Sequence, residues 1–131
     1  MLLPVAVLVV FLLGAISVDA AVRFQAQREA VADAQAIAHD AVSAVAGRSL
    51  RDGQAADQAP LDRAEVARRI AIDVRARRLT GHVEWRLDGP TVTVVVTRRA
   101  ELVFSPAVPG GRSASVVVGT ASARLVDQVP G

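Results

Sequence analysis

Hydrophobic and polar positions along the chain fall into three regimes with different periods. Met1 to Val18 carries no charge and is dominated by Leu, Val, Phe11 and Ile16. Eighteen helical residues reach about 27 Å, close to the ~30 Å hydrocarbon core of a bilayer. Asp19 interrupts the run, and Ala20, Ala21 and Val22 continue it to Arg23. Residues 1–22 therefore read as a transmembrane helix. Pro4 falls in the first turn, where its missing N–H does no harm, and Gly14 is of a kind common in membrane helices. From Arg23 the period becomes that of an amphipathic helix. Phe24, Val31, Ala34, Ile37, Ala38, Ala41, Val42 and Val45 recur at three- and four-residue steps and form one apolar stripe. No proline falls between Pro4 and Pro60, so one continuous helix is expected from about Leu3 to Ala46, with Gly47 as its stop.

Residues 47–61 are polar, with Gly53 and Pro60, and read as a linker. Asp62 and Glu65 have capping-box spacing and open a second helix running to about Arg78. Its expected inward face is Val66, Ile70, Ala71, Val74 and the stem of Arg77, and Leu79-Thr80-Gly81 ends it. The period then drops to two. Val83, Trp85 and Leu87 alternate with His82, Glu84 and Arg86 as a half-buried strand with Trp85 in the core. Asp88-Gly89-Pro90 is a turn. Thr91 to Thr97 is the strongest strand, expected to continue towards Phe104 with Val92, Val94, Val96, Leu102 and Phe104 on one face. Pro106, Pro109, Gly110 and Gly111 mark a loop, and Ser113 to Val126 reads as a third strand. Short links favour an antiparallel meander. So small a sheet needs a helix on one face, and the stripe of the long helix is the natural cover. The fold class expected is α+β: a transmembrane helix continuing into a long amphipathic helix, a short second helix and about three antiparallel strands, the globular part spanning residues 62–131.

Composition narrows the chemistry. With 131 residues the chain holds one domain. There is no cysteine, so disulfides and thiolate metal sites are excluded. All 15 basic residues are arginine against 13 acids, giving a net charge of +2 with the signs interspersed, so nucleic-acid binding is not indicated. His39 and His82 are the only histidines and read as solvated residues. No phosphate-binding loop, dinucleotide fingerprint or nucleophile elbow occurs. No catalytic residue, cofactor, metal or small-molecule substrate is expected. The cluster Arg75, Arg77 and Arg78 is either the solvated end of a helix, the reading preferred here, or a contact with anionic lipid headgroups. Asp19 either marks the membrane interface or pairs with a neighbouring subunit in a helical bundle. Membrane retention is favoured over signal-peptide cleavage, because no Lys or Arg precedes the apolar run and the run is long. Val18-Asp19-Ala20 is the rival cleavage site. Arg23 and Arg28 beyond the helix weakly oppose export of the C-terminal part.

An apolar N-terminal helix running straight into an amphipathic one, under a small antiparallel sheet, resembles a type IV pilin or pseudopilin. Leu13-Gly14-Ala15-Ile16-Ser17-Val18-Asp19, the alanine-rich Ala30 to Ala36, and the valine strand followed by Phe104-Ser105-Pro106 and Ser122-Ala123-Arg124 resemble the TadE/TadG-like family of the tight-adherence (Flp) pilus assembly system. The likeness covers most of the chain and consists of hydrophobic pattern and small-residue runs. Pilin precursors carry a charged leader and a glutamate at the fifth mature position, whereas here the first glutamate is Glu29. The resemblance implies a structural, non-enzymatic subunit of a bacterial cell membrane, single-pass, with its C-terminal domain outside the cytoplasm. Its implied partners are the membrane and other pilin-like subunits or assembly proteins. Gly14, Ala15 and Asp19 would pack its helix in a bundle, with Ala6 and Ser17 also allowing close approach. The alternative is an exported or membrane-anchored domain, unrelated to pili, that binds a partner through its sheet edge or basic helix.

Overall fold

The computed structural model describes residues 2–51, 63–79 and 81–124. Its first element, α1, is a single helix of 50 residues, Leu2–Arg51, about 75 Å long at 1.5 Å per residue. It runs past the expected stop at Gly47. A lone glycine costs a helix only about 1 kcal/mol, and Arg51 Nε donates to the Gly47 carbonyl at 3.1 Å, satisfying a last-turn acceptor. The helix therefore takes in residues 47–51 of the expected linker. Asp62, most of the linker and the chain past Arg124 lie outside the described residues.

The second helix, α2 (Arg63–Ala76), packs on α1 through Val66 and Ile70, both buried. Ala71 and Arg77, expected to face inward, are exposed, and Asp73 is buried in their place beside Arg69. The end of α2 is a Schellman motif. Leu79 N–H donates to the Val74 carbonyl and Arg78 N–H to that of Arg75, while Arg78 takes a left-handed φ of 49°. The termination signal expected at Leu79-Thr80-Gly81 thus falls one residue earlier, on an arginine.

Three strands follow in sequence order: β1 (His82–Asp88), β2 (Thr91–Glu101) and β3 (Ala114–Arg124), antiparallel throughout. Asp88 pairs with Thr91, so Gly89-Pro90 forms a two-residue hairpin. The inner face is graded in size across the sheet. Trp85 on β1 faces Val94 on β2, which faces Ala121 on β3; Val83, Val96 and Gly119 form the next row. Small residues on β3 let α1 come close. A Cβ built on Gly119 would lie 2.2 Å from the Ala30 backbone carbon. Ala30 is fully buried for that reason, although no large side chain marks it in the sequence. The core is one cluster of Ala30, Ala34, Ile37, Ala38, Ala41, Val42 and Val45 from α1, Val66 and Ile70 from α2, and Val92, Val94, Val96 and Val117 from the sheet.

Two members of the expected stripe change place. Phe24 is exposed, its ring 5.9 Å from the Arg28 guanidinium, and Val31 is only half-buried. Trp85 is half-buried at the edge of the core, with Arg63 of α2 stacked 5.1 Å from its ring centre. Arg98 closes the inner face of β2, reaching Glu29 at 2.9 Å and Asp33 at 3.3 Å on α1. β2 ends at Glu101, so Leu102 and Phe104 leave the sheet. A loop with one 3-10 turn, η1 (Ser105–Ala107), joins β2 to β3.

Candidate membrane-interface site

The first 17 residues of α1 up to Val18 are apolar on every side and exposed on almost every side: Leu2 is 86% exposed, Phe11 74% and Leu8 69%. A helix apolar all round must be covered by something apolar. This is a helix long and apolar enough to cross a membrane. Pro4 leaves its first turn intact, and Ser17 Oγ returns a hydrogen bond to the Leu13 carbonyl at 2.8 Å.

Asp19 marks the end of this surface, and its carboxylate is 84 residues or more from its partners in sequence. Oδ1 accepts the backbone N–H of Val103 at 2.9 Å and of Phe104 at 3.1 Å. Oδ2 accepts the backbone N–H of Ser105 at 2.7 Å and the Ser105 hydroxyl as well. Phe104 is the N-cap of η1 and caps it with no side-chain hydrogen bond of its own; Pro106 follows within the turn. Asp19 thus supplies from α1 the acceptors that a local cap residue would normally provide. With only 3% of its surface exposed, it is a buried anion whose lone pairs meet oriented donors.

Around it, Leu12, Ala15, Ile16, Asp19 and Arg23 of α1 and Phe104, Ser105 and Val108 of the loop line a shallow cleft. Positions 12, 15, 16, 19 and 23 share one helix face. That face continues through Ala26, Ala30 and Ala34 into the domain core, so the loop docks on an extension of the seam that holds the sheet. The loop is drawn tight at its base. Leu102 N–H donates to the Ser113 carbonyl at 3.1 Å, and Gly111 passes so near Ser105 that a Cβ there would meet its carbonyl oxygen at 1.8 Å.

The expected bundle-packing residues therefore separate. Asp19 and Ala15 meet the chain's own loop. Gly14 lies on another face, with nothing within 4 Å of where a side chain would start. The arginines at the end of α2 are elsewhere. Arg77 Nη2 reaches Asp40 at 3.4 Å, and Arg78 forms the end of α2. Asp40 lies 21 residues beyond Asp19, about 30 Å along the helix axis. These arginines thus stand at the far side of the domain from Asp19 and the apolar segment. His39 is exposed on α1, and His82 Nε2 stands 3.2 Å from Glu84 Oε1 on the outer face of β1.

Sequence reasoning singled out Asp19 but not its partners. The available signal was the loop's composition: Leu102 to Gly111 carries Val103, Phe104 and Val108 and no charge, which is unusual for a solvated connection. Comparison of the chain with known protein families, curated proteins and solved structures finds no match.

Proposed function

We propose that this chain is a non-enzymatic, single-pass bacterial membrane subunit of the TadE-like, pseudopilin-like kind. It serves in tight-adherence pilus assembly or a related secretion system, with residues beyond α1's apolar part outside the cytoplasm. One observation carries the reading. An apolar helix exposed on almost every side passes without interruption into the helix around which the domain is built. Anchor and domain are then one body, as a subunit needs if packing between membrane helices is to fix the spacing of the domains outside.

Association in this reading is lateral. In lipid, helices gain little from burying apolar surface against each other and associate where small residues let backbones approach. Asp19 and Ala15 are engaged by the loop, so the free helix face carrying Gly14 is the one offered to neighbours. Asp19 then works within the subunit, holding the loop, and not as a salt-bridge partner between subunits.

The chain has no cysteine, so single cysteines can be placed at will. Gly14→Cys and, on the outer sheet face, Thr93→Cys should be compared by crosslinking in native membranes. A pilin-like subunit crosslinks to pilin-like proteins through position 14. Capture only through position 93 would transfer the assignment to an anchored partner-binding domain. Gly14→Leu should leave the fold unchanged, because its new side chain enters open space, and should lower pilus yield; an unchanged yield counts against the assembly role.

A further inference from the structure

We propose that the β2–β3 loop, residues 102–111, is itself a lipid-inserted element: an apolar wedge seated in the bilayer interface beside the helix. The inference rests on the membrane-anchor reading of α1 and adds a second point of contact with lipid.

Position is the first argument. Phe104 and Val108 line one cleft with Leu12, Ala15 and Ile16, on the membrane side of Asp19. Leu12 and Asp19 are seven residues apart, about 10 Å along the axis. Interfacial apolar elements sit about 5–10 Å into the headgroup and acyl boundary. If Leu2 to Val22 spans the hydrocarbon, the loop cannot dock where it does and remain in water.

Surface chemistry agrees. Val103, Phe104 and Val108 are 60%, 43% and 52% exposed, and the ten residues between Glu101 and Arg112 carry no charge. Arg23 stands at the outer end of the same cleft, where a basic side chain can reach headgroups.

The backbone supplies the most specific argument. Irregular chain is tolerated at membrane depth only when its polar groups are satisfied within the protein. Asp19 takes the N–H groups of Val103, Phe104 and Ser105. Leu102 donates to Ser113, Ala107 to Phe104, Val108 to Ser105 and Gly111 to Val108. Pro106 and Pro109 have no N–H to satisfy. Among the described residues, the Gly110 amide is the one N–H between Leu102 and Gly111 left without a protein acceptor. The carbonyls of Phe104, Ser105 and Val108 accept within the loop, and at interface depth the others stay within reach of headgroup water. A loop built for water has no need of so full a cover for its amides, nor of a buried carboxylate brought from another element to achieve it.

The test uses the full chain in phosphatidylcholine vesicles, one set with acyl chains brominated near the carbonyl end to report on position 104 and one brominated near the methyl end to report on position 11. Trp85 is the only tryptophan, so Trp85→Phe gives a dark background for Phe104→Trp and, as a reporter of the anchor, Phe11→Trp. The expected result is blue-shifted Phe104→Trp emission, strongly quenched by the bromolipid and protected from acrylamide, with Asp19→Ala abolishing all three properties. Acrylamide-accessible Phe104→Trp alongside bromolipid-quenched Phe11→Trp overturns the inference and leaves the anchor standing. Loss of bromolipid quenching at both positions overturns the anchor and the wedge together. Protection from both quenchers that disappears on dilution into lipid would show that a second copy, and not lipid, covers the loop, which also overturns it. Should Trp85→Phe disturb the sheet by circular dichroism, a nitroxide on Phe104→Cys in the otherwise unaltered chain gives the same decision, through its relative accessibility to oxygen and to a water-soluble relaxation agent.

Discussion

Asp19 shows how one side chain can organise a loop far from it in sequence. Asp19→Ala removes the acceptor for three amides and a hydroxyl at once. Hydrogen exchange should then lose protection at Val103, Phe104 and Ser105 while the amides of β2 stay protected; retained protection would mean the loop holds itself. Asn at this position keeps one acceptor but turns an NH2 group toward donors, so it should release Ser105 or the Val103–Phe104 pair and not both. Gly119 acts by what it lacks. Valine there must displace the Ala30 backbone, and overpacking of this kind costs about 1–3 kcal/mol, read as a lower midpoint in denaturant titration. Arg78 is the opposite case. Its left-handed backbone is strained for any residue with a Cβ, so Arg78→Gly should raise stability by about 1 kcal/mol. A lower stability would show that the Arg78 side chain holds something the backbone argument omits.

Between elements, alanine sets the distances. α1 meets the sheet through Ala30, Ala34, Ala38 and Ala41, with Ile37 the largest fully buried side chain on that helix, so shape here depends on small residues more than on bulk. Ile37→Ala should cost about 2–5 kcal/mol through the cavity it leaves. Arg98→Ala, which removes ion pairs with Glu29 and Asp33 that water partly screens, should cost less than about 1 kcal/mol and lose its effect in high salt. If the order of these two is reversed, the electrostatic clasp and not the apolar seam fixes the helix on the sheet. The same contrast explains what could be read from the sequence. Burial that repeats every 3.6 or 2 residues leaves a period, so α1, α2 and all three strands were legible, with their order and the antiparallel pairing. Ala30 was not, because its burial comes from a glycine 89 positions later. Phe24 misled for the converse reason: a large apolar residue in phase with the stripe lies beyond the sheet's reach. The contact of Asp19 with Val103 to Ser105 has no period at all. It joins one carboxylate to main-chain groups, which every sequence contains.

Considered whole, the molecule divides its labour unevenly along α1. Among the described residues, every buried apolar one lies at Ala30 or later, so the domain's packing does not depend on the apolar segment. A chain starting at Arg23 should therefore be soluble and retain the helix and sheet signals of circular dichroism, with only loop 102–111 released for want of Asp19. Aggregation or loss of the sheet signal would show that the domain needs its anchor to fold. The uninterrupted helix has a mechanical corollary. From Val22 to Arg51 it extends about 43 Å, with no proline to act as a pivot. Membrane helices commonly tilt by about 20°, and a lever of that length turns such a tilt into roughly 15 Å of sideways travel at its far end. Bilayer thickness, by setting the tilt, becomes a steering input: the lipid beneath decides where the domain points, and neighbours that fix the tilt also aim it.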